Sequence, residues 1–360
     1  MATATVDVPK SQRLSLAQVV RHTVIGAVVL LAILLPVGAF YQWIGESLDA
    51  RRFPQQGYNV ALGAAFPGVS LDLHCTGEGS PVVVLEAGAG VPGVGWSLVQ
   101  PGIARFTRVC SYDRAGYGWS DPGPLPRTSL EIAKELHALL IAAGEKPPYV
   151  LVAHSLGAFH ARVFQHEYSS EVAGMVLVDP SDEDQMSRMP PTMLAAVKRQ
   201  GQQMSTYRTF APFLIRLGVL RLLANSRAPE TPDSNQALQD EMRYLSCQPK
   251  YVEAIASEAQ SMFPEDADEV RASGNLGDKP LIVLSAGEMD QPPVLPKGVT
   301  QEDIDALHDA FVHDLHAREA KLSTRGRQII VPDSHHMIPL ERPDAIVSAV
   351  HDVSAAIASH

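Results

Sequence analysis

The ten residues Tyr149-Val150-Leu151-Val152-Ala153-His154-Ser155-Leu156-Gly157-Ala158 join a short apolar β-rich run to a serine flanked by small residues. A serine hydroxyl acts as a nucleophile when it is held out at the tip of a sharp turn within reach of a base. Such a bend needs small residues two before and two after the serine, so that strand and helix can close beneath it. Ala153 and Gly157 meet that need, although Ala153 adds one methyl group where the strict G-x-S-x-G pattern has glycine. Leu156, Phe159, Val163 and Phe164 then recur at helix-face spacing. An ordinary strand-to-helix turn would read the same in isolation, so Ser155 needs support from elsewhere in the chain.

The elements that must position this serine alternate along the sequence. Strands are predicted at 69–74, 82–86, 108–112, 149–153, 174–179, 281–286 and 328–332, and helices at 129–143, 158–167, 301–322 and 343–356. That alternation predicts a mostly parallel sheet with helices on both faces. It breaks between about 181 and 277, where the apolar patterning is helical and no strand is evident. A structureless connection of that length would be unusual, so this region is expected to be a helical insertion over the sheet. Met186, Met189, Met193, Met204, Met242 and Met262 lie in it, suited either to an adaptable apolar cavity or to plain core filling. Within it, 210–223 (FAPFLIRLGVLRLL) has Arg216 and Arg221 as its only charges, and is expected either to cover a substrate pocket or to rest against a membrane.

With 360 residues, 46% hydrophobic and 19% charged, the chain can bury a large core. A formal net charge of −11 argues against a nucleic-acid partner, which would want a basic face. Gly88-Ala89-Gly90 after a strand invites a phosphate-loop reading, but a third glycine and a suitably placed acidic residue are missing. No formally charged residue occurs between His22 and Gly45, so a segment over 22–45 can span a hydrocarbon core. Lys10, Arg13 and Arg21 before it, against Arg51 and Arg52 after it, bias the N-terminus to the cytoplasm and the rest of the chain outside. A cleaved secretory signal, with Val37-Gly38-Ala39 as the cleavage site, is the alternative, and a buried helix of a soluble protein is a third. Of the three cysteines, Cys75 lies at the end of the predicted strand at 69–74 and Cys110 within that at 108–112. The domain plan is then a tail at 1–21, the apolar segment, a linker at 46–57, a first core part at 58–181, a helical cap at 182–276 and a second core part at 277–360.

Taken together, these segments resemble the α/β-hydrolase fold family from about Val69 to the end of the chain. Pro81-Val82-Val83-Val84-Leu85-Glu86-Ala87-Gly88-Ala89-Gly90 is similar to the family's strand and glycine-rich oxyanion loop, and Arg108 to Asp121 (RVCSYDRAGYGWSD) to its next strand and turn. The serine turn, the strand Val176-Leu177-Val178-Asp179, the helical insertion and the terminal segments follow in the family's order. The resemblance implies an α/β fold with a mostly parallel central sheet flanked by helices and a helical cap, to which the apolar segment at 22–45 adds an N-terminal transmembrane helix. The strands holding Cys75 and Cys110 would be neighbours in it, which makes a disulfide geometrically possible.

It also implies a serine, an acid and a histidine in that chain order. Ser155 is the expected nucleophile. His336, in Val331-Pro332-Asp333-Ser334-His335-His336-Met337, takes the position of the family's base, with His335 as the one-residue alternative. Asp290, in the loop after 281–286, is the expected acid, with Asp179 and Glu288 as alternatives. Main-chain N–H groups of Ala89 and Leu156 are the expected oxyanion donors. Asp113 and Arg114 are read as braces of the neighbouring loop, and His154 as a neighbour of the pocket. His308, His313 and His316 are read as flanking or solvent-facing residues of a helix rather than as metal ligands. A serine, not the aspartate of the family's dehalogenases and epoxide hydrolases, implies an acyl-enzyme and hydrolysis of a carboxylic ester, in a modest-sized, apolar small molecule, with no metal or cofactor. The alternatives are amide or lactone hydrolysis, acyl transfer or perhydrolysis with the same three residues, and a catalytically silent binding protein. Nothing in the sequence speaks to oligomeric state.

Overall fold

Eight strands form one sheet: β1 (Tyr58–Ala61), β2 (Ser70–Thr76), β3 (Val82–Glu86), β4 (Val109–Tyr112), β5 (Tyr149–His154), β6 (Val172–Val178), β7 (Leu281–Ala286) and β8 (Gly326–Val331). The computed structural model describes residues 15–225, 236–291 and 294–358. Lys10 and Arg13, and the side chain of Met204, lie outside the described residues. The strand order is β1-β2-β4-β3-β5-β6-β7-β8. β2 runs antiparallel to both its neighbours, and every pairing from β4 through β8 is parallel. β1 escapes a reading by pattern because it is four residues long with one buried position.

Parallel strands covered on both faces are apolar along their whole length. β3 (VVVLE), β5 (YVLVAH) and β7 (LIVLSA) are of this kind, buried at every position. Alternate side chains feed two cores. Tyr149, Leu151 and Ala153 pack with Phe159 and Phe164 of helix Gly157–Glu167 and with Leu136, Leu139 and Leu140 of helix Ser129–Ala143. Val150 and Val152 pack on the other face with Ile346, Val350 and Val353 of helix Pro343–Ala358. Deleting one of the large buried rings, such as Phe159 or Phe164, would cost about 3–5 kcal/mol. Cys75 and Cys110 sit opposite each other across β2 and β4 and form a disulfide.

Between β6 and β7 the described residues are largely helical, with the longer pieces at Pro191–Arg216, Val219–Asn225, Gln236–Ser246 and Pro249–Ser261. This cap has a small apolar cluster of its own, Ala211, Ile215 and Val252.

The N-terminal helix, Leu16–Arg52, is capped by Ser15, whose hydroxyl accepts from Gln18 N–H while the Gln18 side chain returns to the Ser15 backbone. It is long and apolar enough to cross a membrane, and its most apolar stretch is unburied. The helix continues through 46–52, which the sequence reading gave to a linker. The reason is tertiary: Asp49 pairs with Arg221 at 2.5 Å and Arg52 with Asp240 at 2.9 Å, so this last part of the helix packs on the cap.

Candidate active site

β5 ends at His154, and the chain turns at Ser155 with φ of 53°, the left-handed region that costs a non-glycine residue about 1–2 kcal/mol. Backbone bonds impose it: Ser155 N–H donates to Val178 O at 3.1 Å, and Ser155 O accepts from Ser181 N–H at 3.1 Å and Ala158 N–H at 3.0 Å. Gly157 is required beneath the turn, since a Cβ there would lie 2.8 Å from the carbonyl oxygens of both Glu86 and Ala87. Ala153 is fully buried in β5, so its methyl group is accommodated.

The loop after β8 brings His336 over the turn, its Nε2 2.9 Å from Ser155 Oγ and its Nδ1 2.6 Å from Asp179 Oδ2. Asp179 therefore orients the histidine, and the expectation of Asp290 in that position is corrected. Asp290 and Glu288 are both exposed. Asp290 lines the same cavity and acts on His336 through its charge, whereas Asp179 bonds to it. The physical reason is where the strands end. Asp179 follows β6 directly, beside the Ser155 turn, at a left-handed φ of 42°, and Ala286 N–H fixes it by donating to Oδ1 at 2.8 Å. Asp290 lies four residues past the end of β7, exposed at the edge of the cavity. His335 turns away, with its ring 3.5 Å from Glu288 and from Glu341.

Burial would lower the His336 imidazole, but the hydrogen bond and charge of Asp179, with a smaller contribution from Asp290, outweigh it and raise its pKa above the usual 6.5. Burial would raise the Asp179 carboxyl, yet the His336 hydrogen bond, the nearby His316 and the Ala286 N–H hold it below the ordinary aspartate range. Asp179 is thus an anion, and Nδ1–H of His336 donates to it, leaving Nε2 to accept from the serine hydroxyl.

Two further histidines hold the surrounding backbone. His154 is buried, its Nε2–H donating to His336 O at 2.9 Å, and burial together with His336 lowers its pKa to about 3, so it stays neutral. His316 is likewise buried, contrary to the expectation of a flanking or solvent position: Nε2–H donates to Pro180 O at 3.0 Å, and Nδ1 lies 3.0 Å from Ser285 Oγ. His308 Nε2 lies 3.2 Å from Ala286 O, and His313 is exposed. Sequence reasoning gave no role to His316, and its only signal is a histidine one position past the apolar Leu315.

The glycine-rich loop after β3 runs over the nucleophile: a Cβ on Gly88 would lie 3.1 Å from Ser155 Cβ. Arg114 holds that loop, as expected, donating from Nη1 to Ala87 O at 2.6 Å and from Nη2 to Gly88 O at 2.8 Å. Its charge is matched by Glu86 at 2.8 Å and by Glu258, from cap helix Pro249–Ser261, at 3.0 Å, all three side chains being buried. Asp113 accepts from Gly93 N–H at 2.7 Å and Trp119 N–H at 2.8 Å. Leu156 begins the helix after the serine, where N–H groups lack intrahelical acceptors. Nothing in the sequence pointed to Glu258.

Ser155, Asp179 and His336 open into a cavity of about 330 Å³ with Met262, Met289, Phe311 and Val312 on its walls. Of the expected cap methionines, Met262 is the one among the described residues that reaches it. A larger cavity of about 410 Å³ opens beside Asp72, Tyr112 and Trp119, away from Ser155 and His336.

An eight-stranded, mostly parallel sheet that raises a nucleophile on a strand-to-helix turn is the architecture of an α/β hydrolase. Residues 82–349 match the family model described as the alpha/beta hydrolase family, and the chain belongs to that family. It is 26% identical over 281 residues to the uncharacterized protein YqjL of Bacillus subtilis, covering 78% of this chain and 86% of YqjL. An AB hydrolase superfamily protein of Gibberella zeae is 36% identical over 107 residues, 29% of this chain and 33% of that protein, so that likeness is local. Among solved structures, a thermophilic esterase from Thermogutta terrifontis aligns with a TM-score of 0.56 at 21% identity, over 84% of this chain and 99% of the esterase. Epoxide hydrolase CorEH aligns with a TM-score of 0.56 at 15% identity, over 84% of this chain and 99% of that one. At those identities the likeness is one of fold.

Proposed function

We propose that this protein is a serine hydrolase that cleaves carboxylic esters through an acyl-enzyme. The observation that carries the reading is the continuous relay from Ser155 Oγ to His336 Nε2 and from His336 Nδ1 to Asp179. In the first step His336 takes the Ser155 proton as Oγ attacks the ester carbonyl. The oxyanion that forms is met by the main-chain N–H groups of Ala89 and Leu156, donors of a kind each worth about 100-fold or more in rate. Collapse breaks the bond to the alkoxy group, which leaves as the alcohol with the proton from His336. Water then gives a proton to His336, attacks the acyl carbon and releases the acid, and the proton returns to Ser155. A serine at the turn favours this ester chemistry over the aspartyl ester of an epoxide hydrolase, and the apolar walls of the cavity favour a small to medium apolar ester, its volume being at the low end for ligand pockets.

The Leu16–Arg52 helix supports a retained membrane anchor, and the basic residues before it support a cytoplasmic N-terminus. The Cys75–Cys110 disulfide supports a catalytic body in an oxidising compartment outside the cytoplasm.

Purified protein should label with a fluorophosphonate probe, and Ser155→Ala and His336→Ala should abolish or sharply reduce labelling. An unlabelled wild type, or equal labelling of Ser155→Ala, would reject the acyl-enzyme. A panel of p-nitrophenyl esters, amides and lactones then ranks the substrate classes. A reporter fused after Arg52 that is active in the cytoplasm would reject the topology.

A further inference from the structure

The apolar segment Phe210 to Leu223 does not line the Ser155 cavity. Its chain bends at Leu217 and Gly218, between helices Pro191–Arg216 and Val219–Asn225, and the bend seats directly on the N-terminal helix. A Cβ on Gly38 would lie 2.5 Å from Leu217 O, and one on Gly218 would lie 2.8 Å from the Tyr41 ring and 3.0 Å from Gly38 O, so two glycines permit this crossing. A polar latch closes it: Arg221 pairs with Asp49 at 2.5 Å and donates to the buried Gln42 side chain at 3.1 Å. The other side of the bend is bare. Phe210 is 59% exposed, Phe213 57% and Leu222 62%, large apolar side chains on both arms of the bend that water would not favour.

The position of the crossing along the anchor identifies what covers this face. From Arg21 to Glu46 the helix rises about 37 Å, enough for the roughly 30 Å hydrocarbon core. Gly38 lies eight residues before Glu46, the first charge after the apolar run, and so about 12 Å along the axis inside the level of that charge. The helix overhangs that core by about 4 Å at each end, so whatever packs on Gly38 is carried about 8 Å below the headgroup boundary, among the outer acyl segments. Phe40 and Trp43, exposed and stacked on each other at 5.8 Å, stand between that level and Glu46 as an interfacial aromatic pair. The exposed Arg216 at the bend is placed to meet headgroup phosphates.

We infer that the cap bend is a second membrane contact: Phe210, Phe213 and Leu222 dip into the leaflet from which the anchor emerges, and the Arg221 latch to Asp49 and Gln42 holds them at that depth. This rests on the retained anchor proposed above. The lipid bilayer is the occupant because the bare face continues the apolar surface of the spanning helix on the same level.

The test uses the full chain with an N-terminal epitope tag, reconstituted in vesicles of phosphatidylcholine and phosphatidylglycerol. In a Cys247→Ser background, Phe213→Cys carries an NBD fluorophore, and Ile330→Cys, exposed on β8 at the far edge of the sheet, is the control. Shallow spin-labelled lipids should quench the Phe213 site several-fold more than the control, with the tag still attached. Equal quenching with the tag attached would overturn the second contact and leave the anchor standing. Loss of the tag by cleavage in the expressing cell would overturn the anchor and this inference together.

Discussion

β6 and β7 lie side by side, and each ends in a loop that carries a carboxylate toward the same cavity, yet one of them reaches His336 and the other does not. The Asp179 loop is fixed on all sides. Ala286 N–H holds the carboxylate, His316 holds Pro180 O, and the residues that follow are clamped by Arg318 on Asp182 at 2.7 Å and Arg162 on Glu183 at 2.6 Å. The Asp290 loop is tied to the histidine loop by Glu288 N–H donating to Ser334 O at 2.9 Å, and is exposed beyond it. A carboxylate that must orient an imidazole needs fixed geometry more than it needs proximity, and the first loop supplies it.

Exchanging the weight of the two loops is the sharpest way to break this contrast. Asp179→Asn should reduce kcat/KM by about 10³- to 10⁴-fold, because an amide cannot hold His336 in the required tautomer. An equal or larger loss in Asp290→Asn, with Asp179→Asn mild, would reverse the assignment. The support of the Asp179 loop comes next: His316→Ala removes the donor to buried Pro180 O and should lower stability by about 1–3 kcal/mol in denaturant unfolding. The same change should lower kcat more than it raises KM.

The pH profile sharpens the comparison further. His336 must be neutral to act as base, so kcat/KM should rise with pH through an apparent pKa above 6.5. Removing the Asp179 charge leaves burial, which lowers the imidazole, so residual activity of Asp179→Asn should rise at lower pH than in the wild type. Asp290→Asn should move the same limb in the same direction by less, with a change of roughly twofold in kcat/KM, since an exposed charge is screened. His335→Ala, whose ring faces Glu288 and Glu341, should leave the profile unmoved.

The contrast also explains what was legible in the sequence. Ser155 and His336 sit on turns whose residue types announce them: small neighbours around the serine, and a histidine following a strand and Pro332. The all-apolar strands announced the sheet because they are buried on both faces, while β1, short and mostly exposed, announced little. The choice among Asp179, Asp290 and Glu288 turned on loop trajectory after two adjacent strands, which residue types do not encode. Glu258 and His316 were invisible for a related reason, since each acts across more than a hundred residues of chain on a partner that only the fold brings near. The extension of the N-terminal helix through 46–52 was likewise decided by its Arg221 and Asp240 partners on the cap.

The pair between Arg114 and Glu258 limits how this enzyme can exchange substrate with its surroundings. Lifting the cap would carry Glu258 away and strand a guanidinium with half its counter-charge in a dry interior, a rupture of the kind that costs about 3–5 kcal/mol. At roughly tenfold per 1.4 kcal/mol, a raised cap would be populated less than about one part in a hundred. Moreover, the same motion would loosen the carbonyls of Ala87 and Gly88 that Arg114 grips, so an open molecule would also be a catalytically slack one. Substrate is therefore expected to reach the Ser155 cavity with the cap in place, and turnover should fall as substrates grow bulkier.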